Sequence, residues 1–301
     1  MKRILVLSGM LIFGCRSSPE VSFNNLTKAF ISWHFRYLPV ESSRFNMPNH
    51  HGQFKLYEIS GRDEYYADIS RFLIELSQID ATKISHSARV DYNILYSRLE
   101  RMKYVMDHIR PWEWDPLWTV DEINDGIYIL SERIAFDMDI RVESAQNRLE
   151  AIPRILDQSK SAMTAHSVLH ISYAIDRIDK LLILLEQLPL KLNSDNITLD
   201  KVDLLINKSI QALQDYRNWL NADAKKLDKI NFPSDINLIS TSFSYYNGVK
   251  YMPEPVYQLA EKKLISTQDR LFNLALPIYL MENDEPVWLD RDDTLEVISW
   301  S

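Results

Sequence analysis

Glycine, cysteine, basic clusters and long apolar runs are all scarce in this chain, and each scarcity removes a class of protein. Six glycines stand in 301 residues, where average usage near 7% would give about twenty. Hairpins and tight turns draw on glycine, so a chain this poor in it is built from long helices with few connections. The single cysteine, Cys15, leaves no intrachain disulfide, and stability must come from a core that 46% apolar residues can build at this length. The only long apolar run, Ile4–Gly14, has eleven residues, well short of the ~20 needed to span a bilayer. Lys and Arg number 34 against 42 Asp and Glu, a formal charge of −8. With no basic run, nucleic acid is excluded as a partner, since phosphate neutralisation supplies most of that affinity. Anionic lipid headgroups would repel the same surface. No G-x-S-x-G elbow, Walker A loop or G-x-G-x-x-G occurs, and no run of any length alternates as a strand would.

What stands at the N-terminus is an address. Lys2 and Arg3 precede the apolar run, which ends at Gly14-Cys15 before the polar Arg16-Ser17-Ser18-Pro19-Glu20. A cationic n-region, a short h-region and a small residue before the cut make a secretory signal peptide. Ile12-Phe13-Gly14-Cys15 resembles a bacterial lipobox, with Phe13 bulkier than usual, in which the cysteine becomes the acylated first residue of the mature chain. The plainer alternative is a signal peptide with an incidental cysteine. The expected organisation is a lipoprotein signal peptide over 1–14, a polar tether over 15–24 and a single helical domain over 25–301. Lipid at Cys15 would hold the protein to a membrane outside the cytoplasm. Arg16 is no aspartate retention signal, which favours the outer membrane or cell surface over the inner membrane.

Helical periodicity then carries most of the chain. After Ser85, a plausible N-cap, apolar residues fall at Ala88, Tyr92, Leu95, Leu99, Met102, Met106 and Ile109, and Pro111 ends the run. A second seam runs from Ile123 through Ile127, Leu130, Ile134, Met138, Val142, Ala145 and Leu149 to Ile152, where Pro153 kinks or restarts it. Others run over Val168–Leu185, stopped by Pro189, over Val202–Leu227 behind Thr198, and from Pro255 through Leu264, Leu271 and Ile278, with a kink at Pro277. Leu26–Tyr37 and Glu64–Gln78 look like shorter helices. The fold class is all-α, a bundle of long, mostly antiparallel helices, with one irregular connection near 231–252 and a loop near 189–197.

Three groups of residues could carry chemistry. His166 and His170 are spaced to share a helix face, as in a zinc-binding helix. Ser167, however, stands where the zincin pattern has its Glu, and two neutral ligands fall short of a zinc site. Two partly exposed histidines near a helix start are the simpler reading, and no cofactor is expected. Trp112, Trp114 and Trp118 cluster in Pro111-Trp112-Glu113-Trp114-Asp115-Pro116-Leu117-Trp118. They form either an aromatic platform for a sugar or peptide or a plug at a helix–helix corner. Asp284-Glu285 and Asp290-Arg291-Asp292-Asp293 read most simply as a solvated acidic face and do not have EF-hand spacing.

The order of several short patterns resembles the bacterial domain of unknown function 885 family. They are Arg62-Asp63, Asp68-Ile69-Ser70, Leu76-Ser77-Gln78-Ile79-Asp80 and Arg89-Val90-Asp91-Tyr92-Asn93-Ile94-Leu95. Trp112, Asp115-Pro116, Arg148-Leu149-Glu150-Ala151-Ile152-Pro153 and Trp219-Leu220 continue the series. The resemblance extends from about residue 25 to about 290. It implies a largely helical, secreted or lipid-anchored protein about half the usual family length. The family is zinc-metallopeptidase-like through an H-E-x-x-P-G-H type motif in its C-terminal half. No His-Glu dipeptide occurs here, so no catalytic residue carries over. The first expectation is a non-catalytic half-domain forming a wall that binds peptide-like material. The second is a subunit or fragment of a split zinc peptidase, partnered by a separately encoded catalytic half. The third is a structural or adaptor lipoprotein.

Overall fold

The computed structural model describes residues 18–47, 50–55, 59–132, 137–192, 200–230, 236–247 and 253–282. Cys15, the signal segment 1–14 and the acidic stretch 284–293 lie outside the described residues. The described residues form ten α-helices and one two-residue parallel strand pair, and the all-α reading holds. By contacts the chain divides into two units, Met1–Phe232 and Pro233–Ser301, where one domain was expected over 25–301.

The first unit holds two cores. In the N-terminal one, α1 (Pro19–Tyr37), α3 (Ile59–Ser77) and α4 (His86–Tyr104) bury Phe23, Phe30, Trp33, Phe72, Leu76, Leu95 and Leu99. The helix α1 begins inside the stretch expected to be a tether. Ser18 accepts a hydrogen bond from Val21 N at 3.3 Å and Pro19 opens the first turn, the standard chemistry of a helix start. Phe23 is buried on that helix, so residues 19–24 belong to the fold. Ser85 caps α4 through Ala88 N at 3.3 Å, as its position predicts.

The second core is a four-helix bundle of α5 (Pro116–Glu132), α6 (Met138–Ala162), α7 (Val168–Lys191) and α8 (Asp200–Ala222), with the short α2 (Pro39–Arg44) packed on α5. Val120, Ile123, Ile127, Leu149, Ile152, Ile178, Leu185, Leu213 and Leu220 fill it. Consecutive helices α5 and α6 run antiparallel. The pairs α5/α7 and α6/α8 run parallel, as the contacts Asp121–Arg177 with Glu132–Lys191 and Leu149–Ser209 with Ser159–Tyr216 require.

The long seam over Ile123–Ile152 is two helices. Arg141, on the first turn of α6, donates from Nε to Leu130 O and from Nη2 to Ser131 O, each at 2.7 Å. Carbonyls at the end of α5, left without helical partners, are satisfied this way. Pro153 sits inside α6 and Pro189 in the last turn of α7, so neither ends its helix.

The strands β1 (Ala165–His166) and β2 (Asp228–Lys229) pair in parallel. In the second unit, α9 (Ile236–Asn247) packs with α10 (Pro253–Glu282). The irregular connection expected over 231–252 therefore contains a helix. Its Ser- and Thr-rich sequence reads as loop on propensity, and packing that buries Ser240 overrides it.

Candidate functional site

The tryptophan corner is built by the way α4 stops. After Tyr104 the chain widens into a π-turn, Val105–Ile109, and Arg110 takes a left-handed conformation (φ 47°) that closes on Val105 O at 2.9 Å. A non-glycine residue there is uncommon, and Pro111 next to it forbids helix continuation. Arg110 pairs with Glu113 across the single 3-10 turn, Pro111–Glu113. Trp114 Nε1 donates to Ile109 O at 2.8 Å, and Thr164 N donates to Glu113 O at 2.8 Å. Asp115 then caps α5 by accepting from Leu117 N at 3.0 Å. The turn is pinned on both sides and leaves little freedom for rearrangement.

The three tryptophans have different surroundings. Trp112 is buried at 8% exposure, with the Arg62 guanidinium 5.2 Å from its ring centre. Trp118 lies 6.1 Å from Trp112, and Lys55 Nζ sits over its ring at 3.8 Å. Lys55 is also paired with Glu122 at 3.1 Å, both largely withdrawn from water. Trp114 meets the His170 ring edge-to-face at 4.9 Å. Trp114 and Trp118 are both half-buried. Arg62 and Lys55 thus stand over Trp112 and Trp118, with the Glu122 and Asp115 carboxyls close by.

His166 and His170 do not share a helix face. Ser167 is the N-cap of α7 and its hydroxyl lies 2.8 Å from His170 Nδ1, so the helix begins after His166. His166 belongs to β1, and its Nδ1 must donate to Leu227 O at 2.9 Å because a carbonyl only accepts. Its role is to tie the 163–167 link to the residues after α8. His170 joins the corner: burial holds the Asp115 carboxyl above the usual carboxylate range, and the His170 charge opposes that shift. Among the described residues no three His, Cys, Asp or Glu side chains converge on one point where a metal could sit.

A second feature was not legible in the sequence. Arg148 on α6 is fully buried and donates to Gln53 O at 3.1 Å, to Gly126 O and to Ser43 Oγ at 2.8 Å. Desolvation lowers its pKa to about 10, so it stays charged at neutral pH. Ser43 spends its only hydrogen on Pro39 O, so His51 Nδ1, 3.2 Å away, must be the donor to Ser43 Oγ. Burial, then the Arg148 charge, lowers the His51 pKa. His51 borders a cavity of about 620 Å³ with Gln53, Glu143, Ser144 and Asn147.

Comparison with known proteins places the chain. The family described as "Bacterial protein of unknown function (DUF885)" matches residues 39–283. Among solved structures, a protein from Shewanella oneidensis, described as a lipoprotein of unknown function, superimposes with a TM-score of 0.74. The two are 18% identical, and the match covers 92% of this chain and 51% of that one. Likeness at that identity speaks for the fold, and the chain spans about half the length of that relative. No curated protein matches.

Proposed function

The chain belongs to the bacterial family of unknown function DUF885, and on that premise we propose that it is a lipid-anchored, extracytoplasmic helical module that contributes a peptide-binding wall without itself being catalytic. The observation that carries the reading is the corner at residues 111–118. A rigid turn holds the half-buried Trp114 and Trp118 beside Lys55, Glu122 and Asp115. Indole rings next to both signs of charge suit a peptide, which offers apolar and polar groups together. The anchor rests on the lipobox-like Ile12-Phe13-Gly14-Cys15, and the Shewanella relative's description as a lipoprotein agrees with it. Delivery to the outer membrane or cell surface is the reading that Arg16 supports.

Metabolic labelling with palmitate tests the anchor: label enters the wild-type chain and is absent from Cys15→Ser. Titration of the purified chain with mixed decapeptides tests the wall. Tryptophan emission should change on binding and stop responding in Trp118→Ala.

A second reading has one observation in its favour, the half-length match to the solved relative. The chain would then be one subunit or fragment of a split zinc peptidase, with a separately encoded catalytic half. An H-E-x-x-x-G-H-containing frame directly downstream of codon 301 supports it. A third, structural or adaptor reading gains if peptides leave the tryptophan emission unchanged.

A further inference from the structure

Arg62, in the first turn of α3, is a half-buried cation with a donor that nothing accepts. Its guanidinium stands 5.2 Å from the centre of the Trp112 ring, and Nη1 is shut off from water without a hydrogen-bond partner. No carboxylate forms an ion pair with it among the described residues. Other arginines of the same unit are matched. Arg44 and Arg71 meet carboxylates at 2.7 and 3.0 Å, and Arg141 and Arg148 donate to backbone carbonyls. An N–H of a charged group withdrawn from water is rarely left without an acceptor in a folded chain, and a bound acceptor removes the deficit.

The surrounding charges do not fill the gap. Glu113 is paired with Arg110, and Asp63 is exposed. Burial lowers the Arg62 pKa, Arg110 pushes the same way, and Glu113 and Asp63 oppose. The position of the gap gives it a meaning. Trp112 is 6.1 Å from Trp118, so Arg62 lies within about three residues of extended chain from the ring that Lys55 covers. Lys55 has its counter-charge in Glu122, and Arg110 has Glu113. Of these three cations at the corner, Arg62 is the one that lacks a counter-charge among the described residues.

We infer that Arg62 is the carboxylate-recognition point of the tryptophan corner: a peptide lying against Trp118 sets a carboxylate, from its C-terminus or from an Asp or Glu side chain, on the Arg62 fork. The inference rests on the peptide-wall reading and names the group that the wall selects. A guanidinium matches a carboxylate with two parallel N–H···O bonds. No hydrogen bond among the described residues holds the Arg62 Nη1 under Trp112, so the side chain can swing outward to make them. Leaving the ring gives up a cation–π contact, and a charge-assisted bidentate pair is the stronger of the two. The formal charge of −8 disfavours carboxylates at long range. A preference for them therefore has to come from a local site.

Equilibrium dialysis of the purified full chain against four mixed decapeptide libraries, read by mass spectrometry, tests it. The libraries combine a free or an amidated C-terminus with the presence or absence of Asp and Glu. The wild type should retain carboxylate-bearing libraries about tenfold better than the amidated library without Asp and Glu, the factor that one hydrogen bond to a charged group supplies. Preference for the free C-terminus without Asp and Glu assigns the main-chain carboxylate. Preference within the amidated libraries for those with Asp and Glu assigns the side chain, and either result supports the inference. Arg62→Gln should level the four libraries. Arg62→Lys keeps the charge without the fork and should keep at most about a threefold preference. Equal retention of all four libraries by the wild type overturns the inference and leaves the peptide-wall reading standing, and so does a preference undiminished in either variant. The wild-type comparison does not depend on the folding of any variant. Retention of none of the four overturns both.

Discussion

Arg148 donates a hydrogen bond to the carbonyl oxygen of Gly126, with the guanidinium fully buried and no carboxylate among its hydrogen-bond partners within the described residues. Its other donors reach Gln53 O and Ser43 Oγ. One side chain on α6 therefore fixes α5, α2 and the 50–55 segment. That segment also carries Lys55 to Trp118, so the clamp and the tryptophan corner share a backbone.

Removing the clamp should be costly. Arg148→Leu keeps bulk but removes the hydrogen bonds to Gln53 O, Gly126 O and Ser43 Oγ, and losing buried hydrogen bonding of this kind costs about 1–3 kcal/mol. Arg148→Lys should recover little of it, because a single ammonium cannot reproduce the guanidinium fork. Urea unfolding of both variants measures the loss.

Gly126 is needed for the space it leaves. A Cβ there would collide with Cε1 of Phe54 and press on Val40 Cγ2 at 3.3 Å. Gly126→Ala should destabilise by about 1–3 kcal/mol through overpacking. Phe54→Leu in the same chain should return part of that, and a double-mutant cycle by thermal unfolding reads the coupling.

Glu41 sets an acid limit on the N-terminal core. The hydrogen bond with His34, whose Nε2 lies 3.4 Å away, is the main cause holding Glu41 below its usual 4.5, and Arg98 adds to it. A lowered carboxylate pKa contributes stability above the unfolded value that is lost as pH falls through the folded one. The melting temperature of the wild type should therefore drop more steeply than that of Glu41→Gln as pH is lowered past 4.5.

Asp115 acts with the opposite sign. Burial raises its pKa from the usual 3.8, so its contribution is fully present below that value and lost as pH rises through the folded pKa. Asn is as good an N-cap as Asp. Asp115→Asn should therefore gain stability relative to the wild type across that window and hold the gain at neutral pH. Thermal melts at pH 3, 5 and 7 follow the difference.

The parts of this fold that could be read in the sequence are those governed by local rules. Ser85 as a cap and Pro111 as a stop mark α4 because each acts within a turn of its own position. The break between α5 and α6 escaped notice because apolar residues continue in steps of four from Leu130 through Ile134 and Met138 to Val142, and the cue is Arg141 reaching back to Leu130 O and Ser131 O. The spacing of His166 and His170 suggested a shared face, and Ser167 capping α7 between them removes it. Lys55 over Trp118, Arg148 on Gln53 and His51 on its cavity depend on contacts between distant segments. Periodicity carries no record of such contacts.

Whether the corner at Trp114 and Trp118 holds peptide without cutting it decides the proposed function. Equilibrium dialysis of a mixed decapeptide library against the purified chain, read by mass spectrometry, measures both properties together. The predicted result is a retained subset of intact peptides that is no longer retained by Trp118→Ala. No retention, or new peptide termini that vanish when a chelator is added, would contradict it.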